Sequence, residues 1–171
     1  ALPIYARFNW SRFLLSLLLR TPKAMLDLKS GIVKAWGIQR PEIDKKAYSR
    51  MGEEGLNYIR EILDRSSYQE EHALALFPRL IEHDHILNTI SCMIWTVIRI
   101  PEDGKTLYLS DAPVIMTSLL NEQAHILLPI GPKRVFIATN NTKTLNGILS
   151  NPHQDFVEKV NRKIVGQSNQ Y

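Results

Sequence analysis

Cysteine is almost missing from this chain. The single one, Cys92, excludes an internal disulfide and any zinc site built from clustered thiolates. It also points to a reducing compartment, and its apolar neighbours Met93 and Ile94 predict a buried, inert thiol. Glycine is sparse and scattered. None of the eight falls in a Gly-x-Gly-x-x-Gly or Walker pattern, which argues against an ATP or dinucleotide site. No Gly-x-Ser-x-Gly elbow supports a nucleophilic serine. Long apolar runs are lacking too. The most lipophilic stretch, "RFLLSLLLRTP" (12–22), is bounded by Arg12 and Arg20, well short of the roughly 20 residues a membrane span requires. No small-residue cleavage site follows it, which argues against a signal peptide. The expectation is a cytoplasmic chain with no membrane span.

What is present is an ordinary globular composition. The 171 residues are 44% hydrophobic and 22% charged, enough to bury a continuous core in one domain. The net charge of +4 is unevenly placed. After Gly131 come six basic residues (Lys133, Arg134, Lys143, Lys159, Arg162, Lys163) against only Asp155 and Glu158, so the 21 basic and 17 acidic residues balance before that point. A basic tail of this kind is either a solvated face or a phosphate-binding surface. No aromatic ladder accompanies it, so support for nucleic acid as a partner is weak.

Periodicity predicts a helix over 3–20, with Ile4, Phe8, Leu15 and Leu19 on one face, then a fresh helix start at Thr21-Pro22. "GIQRPEIDKK" (37–46), polar and split by Pro41, reads as a linker. A helix follows over 49–63, weakened by Gly52 and Gly55, and a longer one over 67–91 that Pro78 should kink or divide. At Met93 the texture changes. "MIWTVIRI", "PEDGK" and "TLYLS" read as one hairpin, and "AHILLPI", "GP" and "KRVFIAT" as a second. Helices return over 142–149 and 152–165, the latter with Asn151 as cap and Pro152 at its first position. The fold class expected is α+β: N-terminal helices packed on a mostly antiparallel sheet of two hairpins, closed by C-terminal helices. As one domain over 1–171, it is helical through 91, sheet over 92–139, and helices with the start of a last strand over 140–171.

Candidate chemistry is thin. His83 and His85 stand two apart on a predicted helix and project about 200° apart, the wrong spacing for a shared metal. His125 and His153 are lone histidines, and Glu53-Glu54 and Glu70-Glu71 suit exposed helical faces. No metal site and no cofactor are predicted. Ser110-Asp111-Ala112-Pro113 is the most pointed motif. An Asp before a turn accepts hydrogen bonds from backbone N–H groups one or two residues on, while Pro113 holds Ala112 extended, so the motif redirects the chain between buried strands. The same geometry aims a carboxylate into a pocket as metal ligand or base. Both readings stay open.

Four stretches carry a family resemblance: "ARFNWSRFLLSLLLRTP" (6–22), "MIWTVIRIPEDGKTLYLSDAPVI" (93–115), "ILLPIGPKRVFIA" (126–138) and "VEKVNRKIVGQSNQY" (157–171). They resemble, in turn, the helix ending in Arg-x-Pro, the Trp-bearing strand followed by Ser-Asp-x-Pro, the "PLSP" hairpin with Gly131 where Ser is usual, and the closing helix whose Asn precedes a last strand. All belong to a bacterial family known as domain of unknown function 4238. Its members usually begin with a His-Tyr-x-Pro-Gln segment that is not found here. The resemblance implies a bacterial protein of this fold and no agreed activity.

Two readings follow, and whether the chain is an enzyme is left open. The first is a cytosolic binding or accessory domain that offers its sheet and basic C-terminal helix to an unknown partner, with Lys159, Asn161, Arg162 and Lys163 as binding candidates. The alternative is a metal-assisted hydrolase or nuclease using Asp111, with Ser110 and His125 as further catalytic candidates, its site incomplete in this chain. That alternative expects Asp111 on a pocket wall beside His125 or Asn161.

Overall fold

The computed structural model describes residues 3–151 and 153–168. The chain divides into two compact units, Ala1–Thr21 with Ile81–Tyr171, and Pro22–Leu80.

The first unit is built on a four-stranded sheet. Its strands are β1 (Ile94–Arg99), β2 (Ile115–Met116), β3 (His125–Gly131) and β4 (Arg134–Thr139), in the order β1-β4-β3-β2 with every pair antiparallel. The central strands β3 and β4 are apolar on both sides, so each face requires a cover. One face receives α1 (Ile4–Leu19) and α4 (Asp84–Cys92): Leu14, Leu15, Leu17, Leu87 and Ile90 pack on Ile126, Leu128, Phe136 and Ala138. The other receives α6 (His153–Gln167), whose Phe156, Val157, Val160 and Ile164 pack on Leu127, Val135 and Ile137, with α5 (Thr142–Leu149) contributing Leu145 and Ile148. The fold is α+β, with helices before and after the sheet in the chain.

Of the two hairpins expected, β3–β4 forms and the first does not. Residues 106–110 carry no strand, and β1 pairs instead with β4, Ile94 opposite Thr139 through Arg99 opposite Arg134. The cause lies in the turn. Lys133 reaches into "PEDG", and its ammonium donates to the carbonyls of Pro101 (3.3 Å), Glu102 (3.0 Å) and Gly104 (2.5 Å). The chain therefore wraps a lysine rather than folding back on β1, and Leu107 N donates to Pro132 O (2.9 Å) on the neighbouring turn.

The second unit is helical: α2 (Pro22–Asp64) and most of α3 (Ser66–Ile81). The linker expected over 37–46 is instead continuous helix through Pro41. Good helix formers flank that proline, and Arg40 and Asp44, one on each side of it, pair with Asp64 (2.9 Å) and Arg60 (2.7 Å) farther along. The break falls at Gly52, whose φ of 69° and ψ of −163° belong to a region that is essentially glycine-only. Helix α3 runs through Pro78 to Ile81 and a new helix, α4, begins at Asp84, so the long 67–91 pattern is two helices, divided after Ile81 and not at Pro78. Pro152 and the expected start of a last strand at the chain's end lie outside the described residues.

Candidate functional site

Helix α6 turns a stripe of Phe156, Lys159, Val160 and Lys163 toward the sheet, the i, i+3, i+4, i+7 positions of one helical face. Phe156 and Val160 are buried, and the two lysines line the opening above them. Across from this stripe stands His125, the first residue of β3. Its backbone is locked by Thr117: the His125 N–H donates to the Thr117 hydroxyl (2.9 Å), and the Thr117 N–H donates to the His125 carbonyl (3.1 Å). Its ring is fixed as well. Nδ1 lies 3.0 Å from the Gln123 carbonyl, which only accepts, so Nδ1 carries the proton and Nε2 of the neutral ring keeps its lone pair.

His125 and Ile148 line two adjoining cavities, which together form one groove. The inner one, about 170 Å³, has a floor of Ile115, Leu127, Phe156 and Val160 under Lys159 and Lys163. The outer one, about 370 Å³, runs beside α5 past Lys143, Thr144 and Gly147, with Glu122 as its acidic member. The α5 end of the groove is built by Asn141. Its side-chain oxygen caps the helix by accepting from Thr144 N (2.8 Å), while its amide donates to Glu122 O (2.6 Å) and ties the helix start to the 121–124 turn. Gly147 adds width, since a Cβ there meets nothing within 4 Å. Lys143 and Glu122 thus line the outer cavity, while Lys163 and Lys159, whose ammonium donates to Asn151 Oδ1 (3.3 Å), line the inner one with its apolar floor.

The other candidates sit elsewhere. Asn161 and Arg162 line a separate cavity of about 490 Å³ with Lys105, Thr106, Tyr108 and Glu158. Asn161 works there as a strand substitute: its amide donates to Thr106 O (2.8 Å) and its oxygen accepts from Tyr108 N (2.8 Å), holding the 106–108 backbone that no neighbouring strand pairs. Glu158 pairs with Lys105, whose hydrogen bond, more than the nearby Arg162 charge, holds the Glu158 carboxyl below the usual range.

In the Ser110-Asp111-Ala112-Pro113 turn the Ser110 hydroxyl makes a local bond. Ser110 Oγ accepts from Ala112 N (3.1 Å), Pro113 is buried, and Gln167 of α6 donates to the carbonyls of Ala112 (3.2 Å) and Val114 (3.1 Å). Asp111 is exposed and lines neither the His125 groove nor the Asn161 cavity. His83, His85 and His153 are exposed. So is Cys92, expected buried: at the end of α4, Ile90 and Met93 take the inward positions and Cys92 faces out. Among the described residues, no three His, Cys, Asp or Glu side chains gather closely enough to hold a metal ion. No helix there is long and apolar enough to cross a membrane.

The structure therefore unites His125, which the sequence singled out as a catalytic candidate, with Lys159 and Lys163, singled out together as binding candidates. It adds Lys143, visible beforehand only as one of the basic residues after Gly131, and Glu122, which carried no signal. A family model described as "Protein of unknown function (DUF4238)" matches residues 2–171. No curated protein and no solved structure matches the chain.

Proposed function

The chain belongs to the DUF4238 family of proteins of unknown function, and from that premise we propose that it is a binding domain whose His125 groove receives an acidic partner segment with an apolar anchor. One observation carries this reading: His125 stands between an inner cavity with an apolar floor under Lys159 and Lys163 and an outer one lined by Lys143. The apolar lining favours a buried hydrophobic side chain. The lysines favour a carboxylate or phosphate beside it, and their long-range field speeds the encounter. The Nε2 lone pair of a neutral His125 adds an acceptor for a ligand N–H or O–H.

An anionic naphthalene sulfonate dye has the required chemistry, an acid on an apolar body. Titrating it while following the His125 ring resonances by NMR tests the reading. The expected result is a saturable shift of those resonances that weakens about tenfold, some 1.4 kcal/mol, in the Lys159→Ala/Lys163→Ala double variant. Dye that leaves His125 unmoved, or binds the double variant equally well, sinks it.

A further inference from the structure

Strand β1 closes one end of the sheet, and its outer edge has no strand partner among the described residues. Which groups that edge presents follows from the ladder. Ile100 N donates to Lys133 O (2.8 Å), which continues the β1–β4 register, so the even-numbered residues of β1 bond toward β4. On β4's other side Asn140 N donates to Ala124 O (3.1 Å), the alternation this assignment requires. The N–H and C=O groups of Trp95, Val97 and Arg99 therefore point outward.

Natural sheets usually protect such an edge with a proline, an inward charge, a bulge or extreme shortness. β1 has no proline and no inward charge, its one charged residue being the exposed Arg99 at its end, paired with Glu102 (2.9 Å), and its register with β4 has no shift. Its side chains are open as well, Val97 being 53% exposed. Beside it lies an apolar groove of about 410 Å³ lined by Trp10, Trp95, Thr96, Val97, Ile130 and Phe136.

We propose that this edge pairs with β1 of a second copy of the chain, antiparallel about a two-fold axis through Val97, to make one continuous sheet across two molecules. Residues opposite each other in an antiparallel pair point to the same face, so the register has to be centred on a residue and not between two. Centring it on Val97 makes every outward group of the strand a bonding partner: Val97 faces Val97, and Trp95 faces Arg99 in both directions. Arg99, itself paired with Glu102 (2.9 Å), then stands opposite Trp95, whose ring already holds the Arg7 guanidinium 4.2 Å from its centroid, and not opposite a second Arg99. On the other face Thr96 meets Ile98. Centring on Arg99 opposes two like charges, and centring on Trp95 leaves both Arg99 residues outside the ladder. Centring on Thr96 sets Arg99 against Met93, and centring on Ile98 sets Trp95 against Pro101, both outside the strand, so one register keeps all three outward residues within the ladder, as a two-fold interface requires.

Sedimentation velocity over a wide concentration range tests this. The parent is expected to run at twice the chain's mass at the upper concentrations. Val97→Lys, which places two ammonium groups opposite each other at the axis, is expected to run as a monomer with an unchanged circular dichroism spectrum. Val97→Glu should do the same, and mixing the two variants should restore the dimer. A parent that stays monomeric overturns the proposal. So does a Val97→Lys dimer, or a mixture of the two variants that fails to re-associate.

Discussion

The two compact units of this chain are held together by different means. In the sheet unit, Leu14, Ile90, Ile126, Val135, Ile137 and Ile164 are all fully buried. In the helical unit, Ile32 and Ala47 are the buried apolar residues among those described, while Leu26, Ile38 and Leu74 stay more than half exposed. Ion pairs are among its tertiary ties: Arg40 with Asp64 and Arg60 with Asp44. A helix meets its backbone hydrogen bonds internally and persists with little core, though most helices gain their stability from packing. A sheet has no such option and needs both faces covered. Stability should therefore be concentrated where the sheet is.

The largest expected effect breaks that comparison at its strongest point. Ile137→Ala should cost about 2–5 kcal/mol, the range for emptying a fully buried site. Ile32→Ala in α2 should cost clearly less, because its surroundings are already open. Urea unfolding of both variants checks this, and equal losses would show that the helical unit has a core of comparable worth. An intermediate effect belongs to Asn161. Replacing it with Ala removes both bonds to the 106–108 backbone and should cost about 1–3 kcal/mol at roughly 0.5–1.5 kcal/mol per bond. Asn161→Asp keeps the acceptor for Tyr108 N and loses the donor to Thr106 O, so it should fall between parent and Ala.

The smallest effect is electrostatic. The hydrogen bond from Arg40 holds the Asp64 carboxyl below the usual range, and Lys105 does the same for Glu158. A carboxyl depressed in the folded state stabilises above its unfolded pKa of about 4, and that contribution is lost as pH falls through the folded value. Both pairs are solvent-exposed, so the loss should be slight and should shrink further in salt. Arg40→Ala should leave the melting midpoint at neutral pH almost unchanged and flatten the dependence on pH below about 4. A large drop at neutral pH would mean that the ion pairs of the helical unit carry it.

What the sequence disclosed and what it hid divide along the same physical line. The helix over 3–20, the β3–β4 hairpin and α5 over 142–149 depend on signals within a few residues, and the structure has all three. The pairing of β1 with β4 depends on residues some forty positions apart, and composition favoured the nearer partner, 106–110. The helix through Pro41 defied a local rule, and the ion pairs on either side of it reach Asp64 and Arg60, well downstream. The His125 groove follows the same logic. Lys159 and Lys163 were visible as one pair and His125 apart from them, but only the packing of α6 against β3 makes them neighbours, and nothing in the spacing of Lys143 foretold that it would join them.

The strand order has a consequence for the order of synthesis. The edge of β1 that β4 covers, and the leucines of α1, are made long before the residues that bury them, since β4 ends at Thr139. At about 5–20 residues per second on the ribosome, the forty or so residues between Arg99 and Thr139 take roughly two to eight seconds. For that interval the nascent chain carries a strand with both edges open and a leucine-bearing helix that has α4 but not the sheet to cover it. It is in this window that a chaperone, or another nascent copy, would meet the sheet unit before its own β4 does.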